Sequence, residues 1–267
     1  MIKLAVNGAL GRMGSRILNL AYKSAEDFKI TAAFEPEGSE MLGHDLGPAL
    51  GLGKLLKIKI SKLSPACLKG CDVLIDFSSP EGTRTALAAA LAVGAGIVVG
   101  TTGLDKKLEE NIRSASKKIP IVFSPNMSIG ANCLFELSRL SAAKLKEGYD
   151  IEIIERHHRF KKDAPSGTAR RIAEVIAKEK GWDLARVAKY GREGMMGDRP
   201  KNEIGIHVVR AGDIVGEHTV IFSGPGETIE ITHRAQSRDA FARGALVAAF
   251  FAARQKRGLY SMLDALK

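Results

Sequence analysis

Short apolar runs alternate with helix-like patterns over the first half of the chain. The runs that predict buried strands lie at residues 2–6, 28–34, 72–77, 96–99 and 120–123. Between them, apolar residues recur every three or four positions, which is the spacing of an amphipathic helix. Strands that alternate with helices pair in parallel, so this half predicts an α/β fold with a Rossmann-type doubly wound parallel sheet.

The pattern changes after residue 126, where a polar, proline-containing connection interrupts the alternation. Beyond it, short turns join strand-like runs at 150–155, 203–210, 216–222 and 228–233. These runs predict an α+β domain with a mixed, mostly antiparallel sheet, interrupted by one long helix over 166–180.

These patterns predict two domains. The first covers residues 1–126 and is completed by the C-terminal helix region 237–267, in which Ser237 caps the last helix. The second covers residues 127–236. Its segment 190–201 is rich in Gly, Met and charge, has no clear period, and is interpreted as a loop over the sheet edge or a subunit contact.

The first strand leads into a glycine turn, Gly8-x-x-Gly11-x-x-Gly14, that opens a helix. Gly8 permits a tight turn, Gly11 lets backbone approach a pyrophosphate, and Gly14 permits close packing of helix and strand. A glycine pattern alone also fits a purely structural turn. Glu35, at the end of the second strand, suits the ribose hydroxyls of a dinucleotide and favours a dinucleotide-binding domain. The small polar turn at 100–103 fits either a ligand contact or an ordinary turn.

Segment 155–168 concentrates candidate chemistry. It contains the adjacent histidines His157 and His158 and the cation Lys161, and it ends in a Pro-Ser-Gly-Thr turn that opens a helix. Imidazole exchanges its proton near neutral pH, and the N–H groups of a helix start bind anions. The segment therefore predicts a site that holds a small anionic molecule and gives it a proton. The alternatives are a solvated or packed histidine pair and a solvated lysine.

Other polar residues of the second half have simpler interpretations. Asp163 or Ser166 is expected to cap the long helix. Arg210 and Asp213 are expected to fix a hairpin turn or a subunit contact. The remaining histidines in strand patterns are interpreted as structural: His207, His218 and His233.

The formal charge of +10 suits an acidic partner, either nucleic acid or anionic small molecules. The basic residues are scattered, and four Tyr and one Trp offer few stacking groups, so nucleic acid is not expected. No apolar run reaches the roughly 20 residues of a membrane span, and no secretory leader precedes the first strand, so a cytoplasmic protein without membrane contact is expected. The odd cysteine count argues against a disulfide framework, and Cys67 and Cys71 have no second Cys/His pair at zinc spacing, so no metal is expected.

Five motifs occur in order along the chain: Gly8-Ala-Leu-Gly-Arg-Met-Gly14, Gly100-Thr-Thr-Gly103, Asn126-x-Ser-x-Gly-x-Asn132, Glu155-x-His-His-x-x-Lys-x-Asp-Ala-Pro-Ser-Gly-Thr-Ala169 and Val209-Arg-Ala-Gly-Asp-Ile-Val-Gly-Glu-His218. Together they resemble the dihydrodipicolinate reductase (4-hydroxy-tetrahydrodipicolinate reductase) family. The resemblance extends from Ile2 through the final helix.

The resemblance implies NAD(P)H-dependent reduction of 4-hydroxy-tetrahydrodipicolinate, a cyclic imine dicarboxylate, to tetrahydrodipicolinate with loss of water, in lysine biosynthesis through diaminopimelate. It assigns proton donation to His157 with help from Lys161, and substrate binding to His158, Gly167 and Thr168. It also implies a homotetramer built through the second domain, which would bind substrate and form the oligomer. The implied cofactor contacts are Gly8, Ala9, Leu10, Gly11, Arg12, Met13, Glu35, Gly100, Thr101, Thr102, Ser124, Pro125, Asn126 and Met127.

One residue departs from the pattern of many relatives. Pro36 follows the strand-two acid, at a position where a basic residue can meet the 2′-phosphate of NADPH. Because Glu35 favours free ribose hydroxyls, NADH is predicted to serve at least as well as NADPH, although Arg12 offers a nearby charge.

Two other functions fit the bulk features. A different two-domain nicotinamide oxidoreductase, such as an amino-acid or sugar dehydrogenase, would share the glycine turn but gives no reason for the Lys-x-Asp-Ala-Pro-Ser-Gly-Thr run. A nucleotide-sensing or nucleic-acid-binding Rossmann protein fits the charge, and it would bind nucleotide without turnover or bind DNA in a salt-sensitive manner.

Overall fold

The structure is a computed structural model that describes all residues from Met1 to Lys267. The chain forms two compact units: the first contains Met1–Ile129 and Arg238–Lys267, and the second contains Gly130–Ser237. None of the helices combines the length and the apolar character needed to cross a bilayer.

The helices and strands are numbered in chain order. They are β1 (Ile2–Asn7), α1 (Gly14–Lys23), β2 (Phe28–Phe34), α2 (Leu46–Ala49), β3 (Ile60–Ser61), α3 (Pro65–Leu68), β4 (Val73–Asp76), α4 (Pro80–Val93), β5 (Gly96–Val99), α5 (Lys106–Ala115), β6 (Pro120–Phe123), α6 (Ile129–Lys144), β7 (Asp150–His157), α7 (Gly167–Lys180), α8 (Leu184–Val187), β8 (Ala188–Tyr190), β9 (Ile204–Arg210), β10 (Gly216–Gly224), β11 (Glu227–Ala235), α9 (Asp239–Ala252), β12 (Gly258–Tyr260) and α10 (Met262–Ala265).

Seven parallel strands form the sheet of the first unit, in the order β12-β6-β5-β4-β1-β2-β3. The chain runs outward from β1 through β2 to β3, and then in the other direction from β4 through β5 and β6 to β12. The strand order therefore reverses between β1 and β4. The prediction of a doubly wound parallel sheet is confirmed.

Both faces of this sheet are covered. Along β1, Leu4 and Val6 pack into one apolar cluster, whereas Ala5, which points the other way, packs into the second. On β4, Ile75 and Leu74 divide between the clusters in the same manner. A strand that is buried on both faces has a continuous apolar sequence, which is why short apolar runs identified these strands.

Two of the predicted helix signals are confirmed in detail. The hydroxyl of Ser79 accepts the N–H of Gly82 at 3.1 Å at the start of α4, and Gly94 ends that helix in the left-handed region. Of the two candidate caps of α7, Ser166 is the cap, because its hydroxyl accepts the N–H of Ala169 at 3.2 Å.

The predicted cap of the last long helix is wrong. The N-cap position of α9 belongs to Arg238, whose side chain makes no capping hydrogen bond. The carbonyl of Arg238 accepts the N–H of Phe241 at 3.1 Å, so the first helical turn begins one residue later than Ser237 would require. A carboxylate stabilises this helix start instead: Asp239 lies in the first turn and pairs with Arg16 at 2.6 Å.

Five strands form the sheet of the second unit, in the order β11-β10-β7-β9-β8. Strand β10 pairs antiparallel with β11 and β7, whereas β9 pairs in parallel with β7 and β8, so the predicted mixed sheet is confirmed. The long connection through α7 returns the chain in the direction of β7, which makes the β7–β9 pair parallel. Ile151 and Ile153 of β7 pack with Ile172 and Ile176 of α7 in the core.

The segment predicted as a loop over the sheet edge begins in strand β8, which includes Tyr190 and forms that edge. The residues that follow form a loop, and two arginines hold it to the sheet. Arg192 and Arg199 both donate to the carboxylate of Glu152, at 2.6 and 3.0 Å respectively, and Arg192 also pairs with Glu203. The loop prediction is confirmed for the residues after Tyr190.

Candidate functional site

A cleft in the first unit opens at the carboxyl ends of β1, β2 and β4, the place where open parallel sheets bind ligands. Its volume is about 500 Å³. Three predicted cofactor residues line it: Gly8, Gly11 and Glu35. The remaining lining residues are Asn7, Pro36, Glu37, Lys62, Leu63, Phe77, Ser78, Ser79, Glu81, Gly82 and Thr85.

Backbone atoms approach the glycine turn so closely that side chains cannot fit at two positions. Gly8 has a φ of 74°, and a Cβ there would lie 2.4 Å from the carbonyl oxygen of Phe77. A Cβ on Gly14 would lie 2.0 Å from the carbonyl oxygen of Gly8. At Gly11 a Cβ would lie 3.2 Å from the carbonyl oxygen of Gly8, which is a tight contact, and this glycine lines the cleft. Gly8 and Gly14 therefore play the structural parts that the sequence spacing predicted for them, a tight turn and close packing of helix and strand.

The carboxylate of Glu35 holds the glycine turn against the end of β2, because it accepts the N–H of Leu10 at 2.7 Å. The strand register places Lys62 beside Glu35, since Ser61 pairs with the residue before Glu35. Lys62 forms an ion pair with Glu37, and both line the cleft. The structure thus brings a cation to this cleft that no sequence pattern indicated.

A fully buried carboxylate, Asp76, connects the strand ends around the cleft. Its Oδ1 accepts hydrogen bonds from Asn7 Nδ2 at 2.7 Å and Ser78 Oγ at 2.6 Å. Its Oδ2 accepts from Thr83 Oγ1 at 2.6 Å and Thr101 Oγ1 at 2.9 Å. Thr101 also accepts the N–H of Ser78 at 3.0 Å. The predicted contact Thr101 is therefore part of a network that fixes the ends of β1, β4 and β5 relative to one another.

Several predicted cofactor residues do not line the cleft. Ala9 and Met127 have their side chains in the apolar core. Ser124 and Asn126 fix their own loop, since the hydroxyl of Ser124 donates to the carbonyl of Asn126 at 2.9 Å. The others lie in or beside the turns that follow β1, β5 and β6: Leu10, Arg12, Met13, Gly100, Thr102 and Pro125.

The second candidate site lies at the carboxyl end of β7. Side chains alternate along a strand, so Glu155 and His157 point to the same buried face as Ile151 and Ile153. Glu155 is 0% exposed and His157 is 8% exposed. The predicted proton donor is therefore enclosed by protein instead of lying among solvated surface groups.

Three groups bind the carboxylate of Glu155. Its Oε2 accepts hydrogen bonds from His157 Nδ1 and from Arg210 Nη1, the latter at 2.9 Å. Its Oε1 accepts from Arg210 Nη2 at 2.9 Å and from the N–H of Ser166 at 3.0 Å. Burial alone would raise the pKa of Glu155, but the bonds from His157, Arg210 and Ser166 outweigh it and hold that pKa at about 2. The expectation that Arg210 fixes a hairpin turn is corrected: the β7–β9 register places it opposite His157, where it binds Glu155.

A second histidine, His218, packs against His157. The two rings meet edge to face, with centroids 5.1 Å apart and planes at 73°. His218 Nε2 lies 3.1 Å from the hydroxyl of Ser166. Burial, and then the charge of His157, lowers the pKa of His218 to about 3, so its ring is neutral at physiological pH.

The other predicted substrate residues lie around the start of α7. The Lys161 ammonium pairs with Asp163 at 2.9 Å. Gly167 is exposed, Thr168 is buried, and His158 is half-buried just after the end of β7. The positive end of the α7 dipole and the Lys161 charge make this a place that attracts anions.

Sequence reasoning left Glu155, Arg210 and His218 without a role at this site. The signal for Glu155 was present, because residues two apart on a strand share a face and Glu155 precedes His157 by two. Arg210 and His218 reach the site through strand pairing with β7, which sequence spacing does not reveal.

Comparisons with known proteins cover nearly the whole chain. The sequence profile described as dihydrodipicolinate reductase, N-terminus, matches residues 2–127, and the profile described as dihydrodipicolinate reductase, C-terminus, matches residues 130–266. The two matches together leave few residues outside them.

Full-length relatives share this description. The chain is 49% identical over 266 residues to a 4-hydroxy-tetrahydrodipicolinate reductase from Syntrophotalea carbinolica, covering 100% of this chain and 99% of the relative. It is 48% identical to one from Nitrosomonas eutropha, covering 100% and 98%. Among solved structures, a dipicolinate-bound dihydrodipicolinate reductase from Paenisporosarcina sp. TG-14 has the same fold, with a TM-score of 0.76 at 23% identity over 100% of both chains.

Proposed function

We infer, since the chain belongs to the dihydrodipicolinate reductase family, that it reduces 4-hydroxy-tetrahydrodipicolinate to tetrahydrodipicolinate with loss of water, in lysine biosynthesis through diaminopimelate. The observation that carries this function is the 49% identity, over the full chain, to a 4-hydroxy-tetrahydrodipicolinate reductase. The protein is thus a nicotinamide-dependent oxidoreductase.

The reduction needs a hydride, which NADH or NADPH supplies when bound. The cleft of the first unit fits a dinucleotide, because it lies where the strand order reverses, is lined by two glycines of the turn after β1, and carries an acid at the end of β2. The residues that would hold the cofactor are those of the turn at 8–13, Glu35, and the turns at 100–102 and 124–127.

Two features of the cleft support the use of NADH at least as well as NADPH. The carboxylate of Glu35 favours ribose hydroxyls and repels a 2′-phosphate, and Pro36 offers no charge. Lys62, the cation that the strand register places beside Glu35, is already paired with Glu37. The kcat/KM ratio for the two cofactors measures this preference, and a large ratio in favour of NADPH would contradict it.

The second unit supports the substrate chemistry. Hydride addition to a conjugated imine leaves an electron-rich nitrogen-bearing system that takes up a proton, and His157 is the proposed donor. The two substrate carboxylates would bind the first N–H groups of α7, at Gly167 and Thr168, and the Lys161 ammonium, with His158 as a further contact. Because Lys161 is paired with Asp163 in the structure, a substrate carboxylate must compete with that ion pair.

A homotetramer built through the second unit is part of the proposal. Strands β9 and β11 carry apolar side chains that are 38–39% exposed, namely Val208, Val209 and Ile229. Covering such side chains favours association. Light scattering on the purified protein is expected to give the mass of four chains, and the mass of a single chain would contradict this assembly.

The activity is tested by supplying the condensation product of pyruvate and aspartate semialdehyde and following NADH absorbance. We expect oxidation of NADH by the wild-type protein, and a loss of about 10²–10⁴-fold in kcat in His157→Gln, which is what a general acid contributes. The dissociation constant for NADH is expected to stay within twofold. His44→Gln is the matched control, since His44 is exposed in the first unit and outside the cleft.

Two outcomes would contradict the proposal at different levels. Folded wild-type protein that oxidises no NADH in this assay would reject the activity. Turnover that His157→Gln leaves unchanged would keep the activity and remove His157 as the proton donor.

A further inference from the structure

The chemistry proposed for the second unit gives no part to Glu155, although this carboxylate is fully buried beside the proposed proton donor. We propose that Glu155, held by Arg210, is a positioning residue that fixes the ring of His157, with the Nδ1 proton bound to Glu155 and Nε2 turned toward the substrate. This inference rests on the proposed function, in which His157 gives up a proton.

The carboxylate of Glu155 is fixed at both of its oxygens. Arg210 binds it as a fork, with Nη1 at 2.9 Å from Oε2 and Nη2 at 2.9 Å from Oε1. The N–H of Ser166 binds Oε1 at 3.0 Å from the other side. A carboxylate held by three donors on two elements cannot rotate, so whatever it binds in turn is also oriented. The remaining donor at Oε2 is His157 Nδ1.

This arrangement decides which ring nitrogen of His157 carries a proton. An ionised carboxylate accepts hydrogen bonds and donates none, so the Nδ1 of His157 must be the donor. Nε2 is then the nitrogen that exchanges a proton with a substrate. The charge of Arg210 offsets that of Glu155, so the pair acts on His157 mainly through orientation and tautomer.

Two further residues keep the ring in this position and Nε2 accessible. A Cβ on Gly216 would lie 3.1 Å from His157 Nε2, so glycine at this position keeps that nitrogen free of a side chain. The ring of His218 packs edge to face against His157 and, being neutral, adds no competing charge. Gly216 and His218 belong to one strand, and Arg210 belongs to another that pairs with β7. The motif from Val209 to His218 is thereby explained as the set of groups that hold His157.

The test replaces Glu155 by glutamine and compares it with Glu152→Gln. Glu152 is a matched control because it lies on the same strand and also binds two arginines and a histidine, Arg192, Arg199 and His207, away from His157. We expect Glu155→Gln to lower kcat at least tenfold. The loss should not exceed the contribution of a general acid, which is about 10²–10⁴-fold. The KM for substrate is expected to change less than threefold. Glu152→Gln should leave kcat within twofold.

Nitrogen NMR on protein labelled with ¹⁵N-histidine measures the tautomer of the His157 ring. A purely structural role of Glu155 would leave that tautomer unchanged in Glu155→Gln. The signals of His157 are those that disappear in His157→Gln. In the wild-type protein, the neutral His157 ring is expected to carry its proton on Nδ1. In Glu155→Gln the two tautomers should mix. A neutral His157 protonated on Nε2 in the wild-type protein would overturn the proposal, as would Glu155→Gln protein that keeps its kcat.

If Glu155→Gln does not fold, a second variant and the wild-type protein still test the proposal. Arg210→Lys keeps the positive charge but loses the fork, and it should lower kcat with KM nearly unchanged; an unchanged kcat would count against the proposal. The wild-type tautomer needs no variant at all. Failure of this proposal can be told apart from failure of the proposed function. A full rate in His157→Gln would reject His157 as the proton donor whatever its tautomer, whereas the NMR measurement tests which ring nitrogen carries the proton.

Discussion

Replacing Asp76 by asparagine removes the negative charge from the buried network at the end of β4. Asp76 accepts four side-chain hydrogen bonds at 2.6–2.9 Å, from Asn7, Ser78, Thr83 and Thr101. The donors belong to four different parts of the first unit, so the carboxylate is the common acceptor that keeps the cleft in shape. Asparagine has nearly the same volume, and the change therefore tests the charge and the acceptor count without opening a cavity.

The size of the effect follows from these contacts. A hydrogen bond to a charged group contributes about 1.5–3 kcal/mol and a neutral one about 0.5–1.5 kcal/mol, so the two bonds that stay on the amide oxygen each weaken by about 1 kcal/mol. The other two donors face the amide NH2 group, which cannot accept, and fall back on other acceptors. All four donors have a second acceptor. Thr83 Oγ1 lies 3.1 Å and Ser78 Oγ 3.4 Å from the Ser79 carbonyl. Asn7 Nδ2 lies 3.1 Å from Ser78 Oγ, and Thr101 Oγ1 lies 3.5 Å from the carbonyl of Asp76 itself. We therefore expect the free energy of unfolding to fall by about 2–4 kcal/mol.

Urea unfolding gives the stability, and titration of the purified protein with NADH gives the cofactor affinity. If about 1 kcal/mol of the loss falls on the loops around the cleft, the dissociation constant for NADH rises about fivefold. Asp72→Asn is the matched control, since Asp72 lies just before the other end of the same strand and accepts one exposed hydrogen bond, from the N–H of Lys3 at 2.7 Å. The reasoning is refuted if Asp76→Asn costs less than about 1 kcal/mol, or no more than Asp72→Asn.

Two further predictions follow from charged groups in the structure. Glu37→Gln frees Lys62 from its ion pair, so the dissociation constant for NADPH should fall about three- to tenfold while that for NADH stays unchanged; equal changes for both cofactors would show that Lys62 does not meet the 2′-phosphate. The pKa of Glu155 is about 2 in the folded protein and ordinarily 4.5, so its contribution to stability is complete above pH 4.5 and is lost as the pH falls toward 2. By pH 3 this group should have removed about 2 kcal/mol from the free energy of unfolding, which urea titrations at pH 6 and pH 3 measure; the same difference in Glu155→Gln would contradict the assignment.

The parts of the molecule that sequence reasoning predicted well are those in which the chain itself carries the information. Gly14 is required by its contact with Gly8, six residues earlier, and Gly8 takes a positive φ that favours glycine. The apolar runs identify strands because both faces are buried. The cap Ser166 precedes its helix directly. Each of these signals is local, so it can be recognised without knowing the fold.

The parts that escaped prediction depend on partners far apart in sequence. Asn7 meets Asp76 across 69 positions, and Arg210 meets Glu155 across 55. Lys62 reaches the cleft only through the pairing of β3 with β2. In each case the strand register determines which side chains meet, and the hydrophobic pattern predicts the strand without its register. The polar networks of both candidate sites are therefore visible only in the folded chain.

The first unit takes its last elements from the far end of the chain. Helix α9 supplies Ala242, Ala245 and Ala249 to the core that includes Leu4 and Val6, and β12 completes the edge of the sheet beside β6. A ribosome makes these elements only after the whole second unit has been synthesised. Strands β1 to β6 therefore wait with part of one apolar face uncovered, because α1 covers only some of it. That part is exposed to aggregation and to chaperones while the second unit can already fold. The part of the protein that is made first is the part that finishes folding last.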